Sequence, residues 1–402
     1  MKLIKQTTIL CIVFFSIVGI KFDSGFDTVY FLSLFFSFYL IARGGQHGVL
    51  LILFTAIFLL FLSLINYVVY GYVGSIEFSL RYLLLVMLGG GLCSFLIQHR
   101  IKLEDFRKIF VVCVFINSIF VILQKMVPGF ADFIYGFSSV SSQTTGYFYG
   151  VRFPGLLYAG NAVNGTLHGI GLVWASYYYF NNYKLNLMWL VVSLVIFVSL
   201  FLMARTGVFI FLICLMLSFV FYSRKRRIVF LLPFFVISII VLSPYIKESL
   251  IWFLSDFSSG DSETFSRLSK MVVVSQAEDT FASYLFGSGS SGRDSFYLES
   301  DIGYTRYSLM FGFVGTCVLL FPYFVFLITL LKAFLRSCDP AFLVVLCLTF
   351  FVVFVGAGKE IFIGLKGITI YFTIEYGYHF CSRNKNWLLI NQREVSLSRF
   401  RK

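Results

Sequence analysis

The chain has 402 residues, a formal net charge of +13, 59% hydrophobic and only 13% charged residues, and a mean hydropathy of +0.89. Soluble domains carry about 25% charged residues, so this composition excludes a water-soluble core of such a size. A run of about 20 apolar residues crosses a bilayer as a helix with every backbone group satisfied internally, so the chain reads as an all-α polytopic membrane protein.

Taken in chain order, twelve apolar stretches predict spanning helices. The first six lie near residues 7–20, 28–42, 49–69, 80–97, 109–127 and 161–180. The second six lie near 187–203, 207–222, 228–243, 308–335, 341–357 and 361–380, making residues 1–402 a single integral membrane domain. Lys2 and Lys5 before the first run resemble a signal peptide. No small-residue cleavage site intervenes before Lys21 and Asp23, so the run is read as a retained first helix.

With the N-terminus in the cytoplasm, one set of breaks becomes strongly basic. It includes 99–108 (Arg100, Lys102, Arg107, Lys108), 223–227 (Arg224, Lys225, Arg226, Arg227) and the tail after Phe380. That side carries roughly 20 basic and about 4 acidic residues, the opposite side about 12 and about 15, as the positive-inside rule expects. The expectation is a multi-pass protein of the bacterial inner membrane with both termini cytoplasmic. The positive charge is then a matter of topology, so lipid is an expected partner and nucleic acid is not.

Two expected outer loops exceed ordinary connections, at 128–160 and 244–307, and loops of that length are usually functional. The second contains apolar segments at 250–254, 271–275 and 281–286 that predict short helices on the membrane surface, hence a partly folded cap. The eight cysteines lie in helices or on the cytoplasmic side, which supports neither a disulfide framework nor a zinc site. No phosphate-binding loop, GxSxG elbow, HExxH pair or CxxC pair occurs, and the four His lie outside both long loops. Metal-independent chemistry without a cofactor is the simplest expectation.

The basic residues of the expected outer face are individually placed: Arg152, Arg205, Arg267, Lys270, Arg293, Arg306 and Lys359. Arg offers a rigid fork of donors suited to phosphate oxygens, so these positions suit an anionic headgroup such as a lipid-linked diphosphate. Pairing with loop carboxylates, or anchoring of lipid phosphates, is the alternative for each. Arg205 sits in Met203-Ala204-Arg205-Thr206-Gly207, a tight turn between two apolar helices, where a charge is costly unless it faces protein, water or a ligand. Asp294, Glu299 and Asp301 cluster before the tenth helix. Asp301 suits either a general base toward a sugar hydroxyl or a helix N-cap. Gly312 and Gly315 suit close helix packing. Lys359-Glu360 suits a local ion pair or a substrate contact, and Lys366 and Glu375 in the last helix suit a bridge within the bundle or a cavity lining. His168 reads as a hydrogen-bonded core residue.

This pattern resembles the O-antigen polymerase (Wzy) family, related to the O-antigen ligases. The architecture of about a dozen helices with two enlarged periplasmic loops covers nearly the whole chain. At residue level the likeness rests on Arg152-Phe153-Pro154-Gly155 with Asn161 and Asn164, on Ala204-Arg205-Thr206-Gly207, on Arg267 with Phe286-Gly287-Ser288-Gly289, and on Asp301-Ile302-Gly303-Tyr304 with Gly312 and Gly315. Some members carry a Gly eleven positions after an Arg in each large loop, whereas here Val163 follows Arg152 and Tyr304 follows Arg293 at that spacing. The ligases carry a periplasmic His near the tenth helix, where this chain has Asp301.

The resemblance implies a glycosyltransferase that joins undecaprenyl-diphosphate-linked oligosaccharide repeat units at the periplasmic face, with a chain-length regulator protein as a partner. Arg205 and Arg267 would stabilise charge developing on the departing diphosphate, and Asp301 would orient or deprotonate the acceptor hydroxyl. Arg152, Arg293, Tyr304, Arg306 and Lys359 would contact phosphate or sugar. An O-antigen ligase shares fold and donor. A lipid-linked oligosaccharide flippase or other transporter shares the length, and a purely structural membrane protein is the remaining alternative.

Overall fold

The computed structural model describes residues 2–43, 48–138, 153–156, 161–181, 186–203, 231, 233–234, 281–290, 303–358 and 362–381. Among these, helices account for all regular structure apart from isolated bridges at Lys21–Asp27 and Phe22–Ser138. The helices are α1 (Lys2–Ile17), α2 (Thr28–Arg43), α3 (Leu50–Tyr70), α4 (Gly74–Gln98), α5 (Leu103–Met126), α6 (Phe130–Phe137), α7 (Asn161–Asn181) and α8 (Asn186–Met203). After them come the short α9 (Phe281–Phe286), the long α10 (Gly303–Ser337), α11 (Pro340–Thr349) and α12 (Ile368–Cys381). The expected spans at 207–222 and 228–243 lie outside the described residues, save 231, 233 and 234.

Large apolar side chains cover the outside of the bundle as well as its core. α3 exposes Phe54, Phe61, Leu64 and Val68 while burying Thr55, Ser63 and Asn66. In water that face would be the core; in lipid it is the solvent-compatible surface, and the polar groups turn inward to find partners. α3, α4, α5 and α10, with 21, 25, 24 and 35 residues, are long and apolar enough to cross a bilayer. The chain is an all-α membrane protein.

Helices alternate in direction, so their ends sort into two groups. At one end Lys5 Nζ donates to the His99 carbonyl at 3.2 Å and the Tyr178 hydroxyl to that of Glu104 at 3.1 Å. At the other, Asp27 pairs with Lys366, and α6 runs beside the bridge between Phe22 and Ser138. α4 packs against α2, α3 and α12, while α5 packs against α1, α7 and α8.

Several boundaries differ from the hydropathy expectation, and charge explains most of them. α4 begins at Gly74 rather than near 80, and α5 at Leu103 rather than near 109. Glu77, Glu104, Arg107 and Lys108 therefore belong to helices, not loops. Residues 128–160 were expected as loop, yet Phe130–Phe137 forms a helix. The eleventh span is not one α-helix: after Thr349 it widens into a π turn over Phe350–Val355 and tightens to 3-10 at Gly356–Gly358. The last helix starts at Ile368, not near 361, because Gly364 N–H donates to Thr369 Oγ1 at 2.9 Å and Lys366 is drawn to Asp27. Lys366 thus precedes the helix expected to contain it.

One buried ionic group fastens α5, α7 and α12. Arg107 Nε and Nη2 donate to the Glu375 oxygens at 2.7 and 2.8 Å, and the Arg107 guanidinium lies 4.2 Å from the Trp174 ring centroid. Trp174 Nε1 donates to the Tyr371 hydroxyl at 2.7 Å, which donates onward to Glu375 Oε1 at 3.1 Å. Every member except Arg107, which is 6% exposed, is fully buried. Removing one partner leaves an uncompensated charge, so Arg107→Ala is expected to destabilise the protein by about 3–5 kcal/mol. The double replacement Arg107→Met with Glu375→Leu is expected to recover most of that loss, with thermal unfolding midpoints in detergent as the measurement.

Candidate functional site

The end that carries Asp27, with the C-terminal half of α5 and the N-terminal halves of α7 and α10, is organised by two local devices. The first is a clamp on the segment 153–156. Asn117 and Gln124 lie seven residues apart on α5, hence on one helical face. Asn117 Oδ1 accepts from Leu156 N–H at 2.8 Å and Nδ2 donates to the Pro154 carbonyl at 3.3 Å. Gln124 Oε1 accepts from Gly155 N–H at 2.9 Å and Nε2 donates back to the Gly155 carbonyl at 3.2 Å. Gly155 has φ +70°, and a Cβ there would lie 2.5 Å from Asn117 Oδ1, so the segment can approach α5 this closely because it has no side chain. Phe153 N–H then donates to the Leu202 carbonyl at 2.9 Å, latching the segment onto the end of α8.

The second device is a break in α10. Gly312, at φ 65° and ψ −171°, divides it into 303–311 and 313–337. A break inside lipid frees backbone groups that need partners. Asn66 Nδ2 donates to the Met310 and Phe286 carbonyls at 3.1 and 2.8 Å, and Ser288 and Gly289 N–H donate to the Leu309 carbonyl at 2.9 and 3.1 Å. Gly289 in turn accepts from Ser75 N–H at 2.9 Å. The Phe286-Gly287-Ser288-Gly289 stretch is thus laid backbone to backbone on the break: a Cβ at Gly287 would meet Gly312 N at 2.6 Å. The apolar segment 281–286 is helical, as its sequence suggests. The segments 250–254 and 271–275 lie outside the described residues.

Of the residues singled out by sequence, Arg152, Arg205, Arg267, Arg293, Asp301 and Lys359 lie outside the described residues, as do Lys270, Asp294, Glu299 and Glu360. Tyr304 and Arg306 are in the first turns of α10, both half-buried. The Tyr304 hydroxyl donates to the Phe354 carbonyl at 2.6 Å, tying α10 to the π turn that follows α11. Tyr307 reaches the same region, donating to the Ile363 carbonyl at 3.5 Å. Gly315 packs under the break, where a Cβ would meet Leu62 at 2.9 Å. His168 is fully buried, with Nδ1 at 2.9 Å from the Asn164 carbonyl and Nε2 at 3.4 Å from Asn117 Nδ2, matching its reading as a hydrogen-bonded core residue.

Lys366 and Glu375 bridge to other helices rather than to each other. Lys366 pairs with Asp27 and lies 5.2 Å from the Tyr30 ring centroid, and Arg81 is close enough to Tyr30 to act on its hydroxyl electrostatically. Sequence reasoning passed over Asn66, Asn117, Gln124 and Arg81. A signal for the first three exists: each is an isolated amide in an otherwise apolar helix, a position that calls for a protein partner or a ligand. Among the described residues, no group of three or more His, Cys, Asp or Glu side chains forms a metal-binding set.

Comparison with protein-family profiles, curated proteins and solved structures finds no match to this chain.

Glycines at positive φ differ in how they tolerate added atoms. Gly287→Ala places a methyl group against the Gly312 backbone at a left-handed φ and is expected to cost about 2–3 kcal/mol. Gly71→Ala, at φ +79° with open space around it, is expected to cost about 1 kcal/mol. Unfolding midpoints of the two variants, compared in detergent, check the difference.

Proposed function

We propose that the protein is an O-antigen polymerase of the bacterial inner membrane. It moves a growing chain from its undecaprenyl diphosphate onto the next lipid-linked repeat unit at the periplasmic face, with both termini cytoplasmic. The observation that carries this reading is the hydrogen bond from Phe153 to Leu202. Arg152 is one peptide bond before Phe153, and Arg205 is three residues beyond Leu202, so this bond tethers the two arginine positions through four residues of chain. Two guanidinium groups tethered together near the hydrocarbon boundary suit a diphosphate whose charge grows as the glycosidic bond breaks.

The break in α10 adds support. Pieces of the family likeness that are distant in sequence, Phe286-Gly287-Ser288-Gly289 and Gly312, are in contact. In this reading Arg205 and Arg267 stabilise the leaving diphosphate and Asp301 activates or orients the acceptor hydroxyl. Arg152, Arg293, Tyr304, Arg306 and Lys359 contact phosphate or sugar.

A broken helix also favours a second reading, since transporters build substrate sites from unwound helix segments. Here the carbonyls of Leu309 and Met310 are occupied by Ser288, Gly289 and Asn66, and the buried charges of Arg107 and Lys366 are paired with Glu375 and Asp27. Filled sites of this kind hold helices together rather than pass a substrate, which favours the enzyme.

Lipopolysaccharide banding in a deletion strain complemented with variants tests the proposal. Arg205→Ala and Arg267→Ala are each expected to leave a single repeat unit on lipid A-core while the protein still inserts. Unchanged long ladders in both variants defeat the site assignment. Loss of all O-antigen, single unit included, identifies the transporter or the ligase instead.

A further inference from the structure

Asn164 stands apart from the other buried amides. Asn66, Asn117 and Gln124 are each committed to named backbone partners, whereas neither Nδ2 nor Oδ1 of the fully buried Asn164 has a hydrogen-bond partner among the described residues. Each buried polar group left unsatisfied costs about 1–3 kcal/mol. A leucine, with the same branching and number of heavy atoms, would remove that cost, so the side chain is unfavourable for stability where it stands.

Its surroundings follow from helix geometry. Asn164 is in the first turn of α7, and residues four apart on a helix share a face. His168, one turn on, faces α5 through Asn117, and Gly171 packs on Val114 of α5, where a Cβ would lie 2.7 Å away. Asn164 therefore faces α5 as well, at the level between Asn117 and Gln124.

The ligand that matches a primary amide is one that both donates and accepts. A phosphate oxygen uses the NH2 group but sets negative charge against Oδ1, and an acyl chain satisfies neither atom. A sugar hydroxyl or acetamido group pairs with both. We propose that Asn164 is a saccharide-binding residue that holds a hydroxyl or acetamido group of the lipid-linked repeat unit. The ligand class rests on the glycosyltransferase reading above; the orphaned amide does not.

The test uses full-length protein in lipid nanodiscs, with two probes: undecaprenyl diphosphate, and the undecaprenyl-diphosphate-linked repeat unit extracted from the deletion strain. Asn164→Leu is expected to weaken binding of the saccharide-bearing lipid by about tenfold or more. Binding of undecaprenyl diphosphate is expected to change by less than about twofold, with an unfolding midpoint equal to or above that of the wild type. An unchanged affinity for the saccharide lipid, an equal loss for both probes, or a lowered midpoint overturns the assignment and makes Asn164 a structural residue. Wild-type protein that binds the saccharide lipid through Asn164 yet forms no polymer retires the polymerase reading while the saccharide site stands. Polymer formed equally by wild type and Asn164→Leu, with equal affinity, retires the site alone.

Discussion

Gly312 interrupts a helix of 35 residues in an apolar setting, and the three residues that answer that interruption set the arrangement around it. Asn66 from α3 and the backbone of Ser288 and Gly289 take the freed carbonyls of Leu309 and Met310. Backbone groups in lipid cannot turn to water, so the break exists only with its partners in place. That requirement brings α3, the start of α4 through Ser75, and the 281–290 segment to one point. The segment 303–311 of α10 is thereby aimed independently of 313–337, and Tyr304 and Tyr307 meet the chain between α11 and α12.

The clamp on 153–156 obeys the same rule by other means. There the irregular backbone is satisfied by two amide side chains from a single helix face, each making a donor and an acceptor contact to the peptide groups opposite. Both devices convert a chain segment that would otherwise be a surface loop into part of the bundle. Both also act at the same end of the molecule, the one that carries Asp27 and Lys366. Arg107 and Glu375, at the opposite end, do comparable work with formal charges and an aromatic neighbour instead of amides.

Helix existence was legible because hydropathy integrates over many residues: α2, α3, α7 and α8 begin and end within a few residues of where composition places them. Boundaries failed where a helix starts with charge, as at Glu77 and Arg107, because hydropathy cannot distinguish a polar helical turn from a loop. The π turn after Thr349 and the break at Gly312 were not legible, since both depend on partners, Tyr304 for one and Asn66 for the other, supplied from far along the chain. The Arg-bearing turns drew notice as isolated charges beside apolar runs. The amides at 66, 117 and 124 did not, although the same reasoning applies to any lone hydrogen-bonding group in a helix facing lipid or its own bundle.

The polar fastenings share one further property, the distance between partners along the chain. Asn66 waits 244 residues for Met310, Arg107 waits 268 for Glu375, and Asp27 waits 339 for Lys366. At ribosomal speeds of about 5–20 residues per second, the last of these intervals is roughly 17–70 s. During it a carboxylate and a guanidinium stand in or beside the bilayer without their counter-ions. Early helices must therefore be sheltered by lipid headgroups, water or the insertion machinery until Lys366 and α12 arrive.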